Sequence, residues 1–183
     1  MRAALLIVVI VAAGLFFFYN SDSESTPPAD SAATATDPAP AAVAPEPKIG
    51  MIDDERINAA ESEPGNWLAF GRTYEEQRFS PLTQINRDNV ADLKLAWYRD
   101  MGTNRAQEAT PIVVDGVMFF TSAWSRVFAI DAVSGDMLWS FDPEVPGETG
   151  RRACCDVVNR GVAVYQGRVY VGSLDGRLIA LDA

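Results

Sequence analysis

From Ile112 onward, apolar positions come in short runs separated by turn residues. Ile112-Val113-Val114 and Val117-Met118-Phe119-Phe120 flank Asp115-Gly116, and β-branched and aromatic runs on either side of such a dipeptide predict a two-residue hairpin. Val164-Tyr165 and Arg168-Val169-Tyr170-Val171 flank Gln166-Gly167 in the same way, and Asp175-Gly176 turns the chain into Leu178-Ile179-Ala180-Leu181. The pattern predicts antiparallel sheet. Upstream, Ile52-Asp53-Asp54-Glu55-Arg56-Ile57-Asn58-Ala59-Ala60 predicts a short helix with Asp53 as N-cap, ended by Pro64-Gly65. A second short helix is predicted after Asn86, with Val90 and Leu93 on one face. Between the two lie Asn66-Trp67-Leu68-Ala69-Phe70-Gly71-Arg72-Thr73 and Arg78-Phe79-Ser80-Pro81-Leu82, irregular segments whose aromatics read as core or edge packing.

The two hairpin regions match each other. Gly116 aligns with Gly167, Ser122 with Ser173, Arg126 with Arg177, and Ala129-Ile130-Asp131-Ala132 with Ala180-Leu181-Asp182-Ala183, all at a shift of 51 (167 − 116). A repeat of this length with about four short strands per copy implies an all-β chain built from β-propeller blades. The first copy continues as Val133-Ser134-Gly135-Asp136-Met137-Leu138-Trp139, and the second stops at Ala183. The expectation is therefore one to two blades, with the second cut in mid-blade. Blades bury their faces against neighbours, so an unclosed set is expected to be poorly stable or prone to aggregate.

The N-terminus divides differently. Met1-Arg2 precedes an uncharged run from Ala3 to Tyr19, which is the pattern of an export signal or membrane anchor over residues 1–19. Ser21-Asp22-Ser23 is a poor cleavage site and Ala33-Thr34-Ala35 lies far from the run; an uncleaved anchor is favoured over a cleaved signal. No cysteine lies nearby to carry a lipid. Residues 20–47 are Ala-, Pro-, Ser- and Thr-rich, as in Thr36-Asp37-Pro38-Ala39-Pro40, the composition of an extended linker. Residues 48–183 remain for one folded unit.

Charge and residue usage narrow the chemistry. A formal net charge of −10 argues against nucleic acid, whose phosphates call for clustered Lys and Arg. Histidine is absent from all 183 residues, which removes Ser-His-Asp and Cys-His nucleophile systems, His-bearing zinc motifs and histidine proton shuttles. Any catalysis must come from carboxylates, arginine, the cysteine pair or a borrowed cofactor. Cys154 and Cys155 are the only cysteines, and they are adjacent. Bonded to each other they would form a strained ring, of the kind that persists where its surroundings enforce it; reduced, they would be two small hydrophobes in a core. Export to an oxidising compartment, with no third cysteine to pair with, favours the ring.

Two motifs carry a resemblance. Ala129-Ile130-Asp131-Ala132-Val133-Ser134-Gly135-Asp136-Met137-Leu138-Trp139 resembles the tryptophan-docking motif of quinoprotein dehydrogenases, with Ser134 in place of the usual threonine. Cys154-Cys155-Asp156-Val157-Val158-Asn159-Arg160-Gly161 resembles the vicinal-disulfide segment of the alcohol and methanol dehydrogenases that use pyrroloquinoline quinone (PQQ). The stretch from Asn66-Trp67 to Trp97 is similar to that family's N-terminal region, so the likeness runs from about Asn66 to Ala183.

The resemblance implies a quinoprotein β-propeller of eight blades around PQQ and a metal, calcium or a lanthanide. The implied reaction oxidises alcohols to aldehydes by hydride transfer to the quinone, and the electrons pass to a cytochrome c-type acceptor. Carried over by position, Glu108 would hydrogen-bond the cofactor, Arg160 would contact the quinone oxygens, and Cys154 and Cys155 would form the ring stacked on its plane. Ala109 after the glutamate looks more like the general alcohol branch than the methanol branch. The metal ligands and the catalytic aspartate belong, by resemblance, to later blades, so no catalytic or metal residue is expected in this chain, and the chain alone is expected not to turn over an alcohol. A periplasmic location, free or tethered to the inner membrane, follows from the leader. The alternative is a cofactor-free propeller serving as an envelope scaffold, which shares the docking motif but gives no reason for a vicinal cysteine pair followed by Arg160. The membrane-bound sugar dehydrogenases contrast with the single apolar run here.

Overall fold

The computed structural model describes residues 49–183; the expectations for residues 1–19 and 20–47 lie outside the described residues. Two antiparallel sheets form in chain order. The first contains β1 (Ile112–Val114), β2 (Val117–Thr121), β3 (Val127–Asp131) and β4 (Met137–Phe141) in the order β1-β2-β3-β4. The second contains β5 (Ala163–Tyr165), β6 (Arg168–Gly172) and β7 (Leu178–Asp182) in the order β5-β6-β7. Adding 51 to the bounds of β1, β2 and β3 gives those of β5, β6 and β7, so the repeat read in the sequence is a repeat of strands. Among the described residues the regular structure is all-β, as expected, apart from one short helix and several 3₁₀ turns.

The hairpins turn where the dipeptides stand. Asp115 and Gly116 have φ of 54° and 80°, and Gln166 and Gly167 have 49° and 73°. Positive φ at both central residues matches the right-handed twist of the strands. In the first sheet Phe119 pairs with Ala129 and Thr121 with Val127, while the β3–β4 register shifts between Ala129 and Ile130, where β4 carries the extra residue Leu138. The strands alternate as half-buried strands should: Val117, Phe119 and Thr121 of β2 are buried and Met118 and Phe120 are less so. Phe119, Val127 and Ala129 join Val164, Val169 and Val171 of the second sheet in one apolar cluster, with Trp139, Phe141, Ile179 and Leu181 packed against it. Phe128 and Ile130 are also buried, on the opposite face of β3. There Phe120 stacks on Phe128 with ring centroids 5.4 Å apart.

The helix α1 (Asp54–Asn58) forms where predicted. Asp53 caps it by accepting from the Arg56 N–H at 2.8 Å. Its residue Ile57, with Ile52 and Leu68, completes the core. The same arm ties both hairpin turns: the Gln166 N–H donates to Ile52 O and the Gly167 N–H to Gly50 O, at 2.8 and 2.9 Å. Arg56 bonds Glu63 at 2.8 Å and Asp115 of the first turn at 2.6 Å. Trp67 exchanges two backbone hydrogen bonds with Val113, extending the edge of β1.

Two expectations need correction. The segment after Asn86 makes a single 3₁₀ turn, Val90–Asp92, and Val90 and Leu93 are exposed. Asparagine side chains compete with helix there: Asn89 Oδ1 accepts from the Asn86 N–H, Asn86 Oδ1 accepts from the Asp88 N–H, and Asn89 Nδ2 donates to Gln84 O. The aromatics between the helices are also not all packed. Phe70, Tyr74 and Phe79 are exposed, and Phe70 carries the Arg78 guanidinium 4.1 Å above its ring.

The docking motif is ordered by its own side chains. Asp131 Oδ1 accepts from the backbone N–H groups of Val133 and Ser134 at 2.9 and 2.7 Å. These bonds, that from Ser134 first, hold the Asp131 carboxyl below the usual carboxylate range. Ser134 supplies the hydroxyl expected of the threonine it replaces, donating to Asp136 at 2.8 Å. Gly135, at φ 77°, must be glycine for a second reason: a Cβ there would lie 2.6 Å from the Trp97 ring. Trp139 turns into the core, with its ring centroid 6.0 Å from that of Phe119.

Candidate functional site

Two separated segments meet at the end of the sheets. One is residues 105–111, leading into β1; the other is residues 154–161, leading into β5. They join through backbone: the Thr110 N–H donates to Arg160 O at 3.2 Å, and Thr110 and Gly161 form a parallel bridge. Gly161 permits this approach. Its φ is 127°, and a Cβ on it would stand 2.8 Å from Thr110 O.

That junction brings Glu108 and Arg160 together. Arg160 Nη2 lies 3.2 Å from Glu108 Oε2, with the side chains 67% and 41% exposed. An ion pair this open adds at most about 1 kcal/mol to stability. Arg78 Nη2 donates to Thr110 Oγ1 at 3.0 Å, which puts a second guanidinium on the same segment.

Cys154 and Cys155 are bonded to each other across a trans peptide with Cα atoms 3.8 Å apart, and both residues are exposed. The buried-thiol alternative is thereby overturned. The ring is held at its C-terminal side by three contacts. Asp156, at φ 61°, pairs with Arg105 at 2.9 Å. Val157 is buried, and its carbonyl accepts from the Trp124 N–H at 2.8 Å. Gly150 lies against the same pair: a Cβ there would meet the Trp124 ring and a Val157 methyl at 3.0 Å. Asp100, Gly102, Thr103, Asn104, Arg105 and Trp124 line an open depression of about 540 Å³ beside this support.

Behind Arg160 sits Asn159. Its Oδ1 accepts from Thr121 Oγ1 at 2.9 Å and from the Gly161 N–H at 3.1 Å, and its Nδ2 donates to Ser125 Oγ at 3.1 Å and Gly172 O at 2.8 Å. Three non-glycine residues around the segment, Trp124, Ser125 and Asp156, have φ between 58° and 64°. Backbone of this kind costs about 1–3 kcal/mol per residue and gathers at ligand clamps and active sites.

Of the four residues singled out in the sequence, the structure brings two together in space and places the other two on the same loop as one of them. Glu108 and Arg160 touch, and the cysteine ring is on the loop that carries Arg160. The sequence reading gave no role to Trp124, Asn159, Thr110 or the Arg105–Asp156 pair. One signal was available: at the shift of 51, Trp124-Ser125 stands where the second repeat has Asp175-Gly176, and a tryptophan-serine pair is an unusual choice for a left-handed turn. Asn159 lay inside the quoted motif, but only the fold shows its four partners.

The exposed Arg160 guanidinium can donate hydrogen bonds, the Glu108 carboxylate can accept them, and the exposed disulfide on the same loop presents a polarisable surface. Among the described residues no group of three His, Cys, Asp or Glu side chains is arranged to hold a metal ion.

Comparison with known proteins bears on this set. The family model described as PQQ, glucose/ethanol/alcohol dehydrogenase, β-propeller domain, matches residues 67–183. The dehydrogenase subunit of alcohol dehydrogenase (quinone) from Komagataeibacter europaeus is 60% identical over 129 residues, covering 70% of this chain and 18% of its own. The 1-butanol dehydrogenase (cytochrome c) of Thauera butanivorans is 58% identical over 119 residues, 65% of this chain and 17% of its own. Among solved structures, the quinohemoprotein alcohol dehydrogenase ADHIIG from Pseudomonas putida HK5 superposes with a TM-score of 0.73 at 54% identity, covering 75% of this chain and 20% of that one. The chain spans under a fifth of the length of these two curated relatives.

Proposed function

Because the chain belongs to the PQQ-dependent glucose/ethanol/alcohol dehydrogenase β-propeller family, we propose that it is the N-terminal part of a quinoprotein dehydrogenase that oxidises alcohols to aldehydes. The observation that supports this reading is that Glu108 and Arg160, 52 residues (160 − 108) apart in sequence, stand 3.2 Å apart, with the exposed Cys154–Cys155 disulfide on the loop that carries Arg160. Bound there, PQQ would supply the redox chemistry by accepting the hydride removed from the alcohol.

The chain's own residues have separable tasks. Arg160 presents a fixed positive charge where negative charge develops on reduction of a quinone, and a permanently charged guanidinium does this without a proton-transfer step. Glu108 orients that guanidinium and adds a hydrogen-bond acceptor. The exposed disulfide offers a flat, polarisable surface on which an aromatic plane can rest. Arg105–Asp156 and Trp124–Val157 hold the ring's loop, so the surface does not have to be ordered on binding.

The metal, calcium or a lanthanide, would be held by residues of the complete polypeptide outside this chain. A small alcohol is the proposed substrate and a cytochrome c-type protein the proposed electron acceptor, supported by the cytochrome-linked butanol dehydrogenase among the relatives. The apolar leader and the disulfide support a periplasmic site of action, with or without a tether to the inner membrane. Among the described residues no helix is long and apolar enough to cross a membrane.

The test is alcohol-dependent reduction of an artificial electron acceptor by the complete polypeptide, assayed with and without added PQQ and calcium. Turnover that requires both alcohol and PQQ is expected. The envelope-scaffold alternative predicts no turnover and no PQQ binding, and that result would replace this reading.

A further inference from the structure

We propose that Asn159 is a positioning residue for the quinone site, fixing the backbone from which Arg160 reaches Glu108. The inference rests on the reading above and adds to it a residue that touches neither the cofactor nor a reacting atom.

The geometry is unusually complete. A carboxamide can accept two hydrogen bonds and donate two, and Asn159 does all four: it accepts from Thr121 Oγ1 and the Gly161 N–H, and donates to Ser125 Oγ and Gly172 O. Besides Gly161 on its own segment, the partners come from three places. Thr121 ends β2, Ser125 lies in the turn before β3, and Gly172 ends β6. One side chain therefore ties the first sheet, the second sheet and the end of the segment leading into β5 at a single point. Ser125 Oγ also accepts from the Leu174 N–H at 3.1 Å, so the tie continues into the turn after β6.

Arg160 hangs between this anchor and a second one. On one side the Asn159 amide is saturated; on the other, the Arg160 carbonyl accepts from Thr110 and Gly161 abuts Thr110 O. The Arg160 side chain itself is two-thirds exposed, with Glu108 as its one ion-pair partner within the described residues. Such a side chain keeps its direction only if its Cα is fixed. Removing the Asn159 amide frees that Cα on one side, and the guanidinium would then have to be ordered when the ligand binds, at an entropic cost taken from affinity.

The experiment is equilibrium binding of PQQ to the complete apoprotein, followed by quenching of tryptophan fluorescence, in a double-mutant cycle of Asn159→Ala and Arg160→Ala. If Asn159 acts through Arg160, Asn159→Ala weakens binding about tenfold when Arg160 is present, as loss of an orienting partner typically does. It weakens binding by less than about twofold when Arg160 is already alanine, because residues that act as a unit are not additive. A merely structural role would lower the thermal midpoint and weaken binding by the same factor in both backgrounds, and that result would overturn the inference. Thr121→Val, which removes one bond to Asn159 Oδ1 at nearly constant volume and without changing charge, carries the same cycle if Asn159→Ala does not fold. Its effect on binding must also vanish in the Arg160→Ala background; an equal effect in both backgrounds, or none in either, would overturn the inference. Absence of PQQ binding by the wild-type protein would instead overturn the functional reading, and the inference with it.

Discussion

Gly161→Ala should damage fold and site together, by an amount the structure allows to be worked out. At φ 127° an L-residue is strained, which costs about 1–3 kcal/mol. The new Cβ would also stand 2.8 Å from Thr110 O, and an ordinary carbon–oxygen contact of about 3.3 Å requires a retreat of roughly half an ångström. The two segments can separate only by stretching the 3.2 Å bond from the Thr110 N–H to Arg160 O, with a loss of about 0.5–1.5 kcal/mol. The sum is about 1.5–4.5 kcal/mol. Urea unfolding monitored by tryptophan fluorescence should show a lower midpoint with an unchanged slope, because the mutation alters stability without altering the surface exposed. Gly65→Ala is the matched control, since nothing lies within 4 Å of a Cβ there; its effect should stay within about 0.5 kcal/mol. A Gly161→Ala protein as stable as the Gly65→Ala control would refute the close approach of residues 110 and 161 on which the site is built.

Two further outcomes follow from the packing and the charges. Phe119 is fully buried between the two sheets, against Trp139, so Phe119→Ala should lower unfolding free energy by about 3–5 kcal/mol in the same assay, whereas exposed Phe79→Ala should change it by less than about 0.5 kcal/mol. Arg56 holds the carboxyl groups of Glu63 and Asp115 below their ordinary values of 4.5 and 3.8, chiefly by hydrogen bonding. A carboxylate whose pKa is depressed by folding contributes stability that is complete above its unfolded pKa and is lost as pH falls through its folded one. Thermal midpoints should therefore fall as pH drops below those ordinary values, and Arg56→Gln should flatten that acid limb while lowering the midpoint at neutral pH. An acid limb unchanged in Arg56→Gln would remove the cluster from the account of stability.

What could be read from the chain alone was what depends on local pattern. The hairpins at Asp115-Gly116 and Gln166-Gly167 were legible because a left-handed turn between β-prone runs is specified within a few residues. The repeat was legible because Ser122/Ser173 and Arg126/Arg177 recur at one shift; the backbone bonds Ser122 N–H to Arg126 O and Ser173 N–H to Arg177 O, at 2.9 and 2.8 Å, show why. The apolar spacing after Asn86 suggests a helix that does not form, because the side chains of Asn86 and Asn89 bond the local backbone instead. The four candidate residues come from the resemblance, not from periodicity: nothing local says that Glu108 and Arg160 meet. Their meeting depends on Gly161 and Thr110 touching across 51 residues (161 − 110), and long-range contact of that kind leaves no mark on either segment by itself. Asn159 illustrates the same limit, because its four partners lie between two and 38 residues away.

The central claim is that Cys154–Cys155, Arg160 and Glu108 form one side of a quinone site. Titration of the complete apoprotein with PQQ, comparing wild type with Arg160→Ala, tests it most directly. Charge-assisted hydrogen bonds from a guanidinium are worth about 1.5–3 kcal/mol, so saturable wild-type binding should weaken roughly ten- to a hundredfold in the variant. Wild-type and Arg160→Ala proteins that bind PQQ equally, or a wild-type protein that does not bind it at all, would contradict the account.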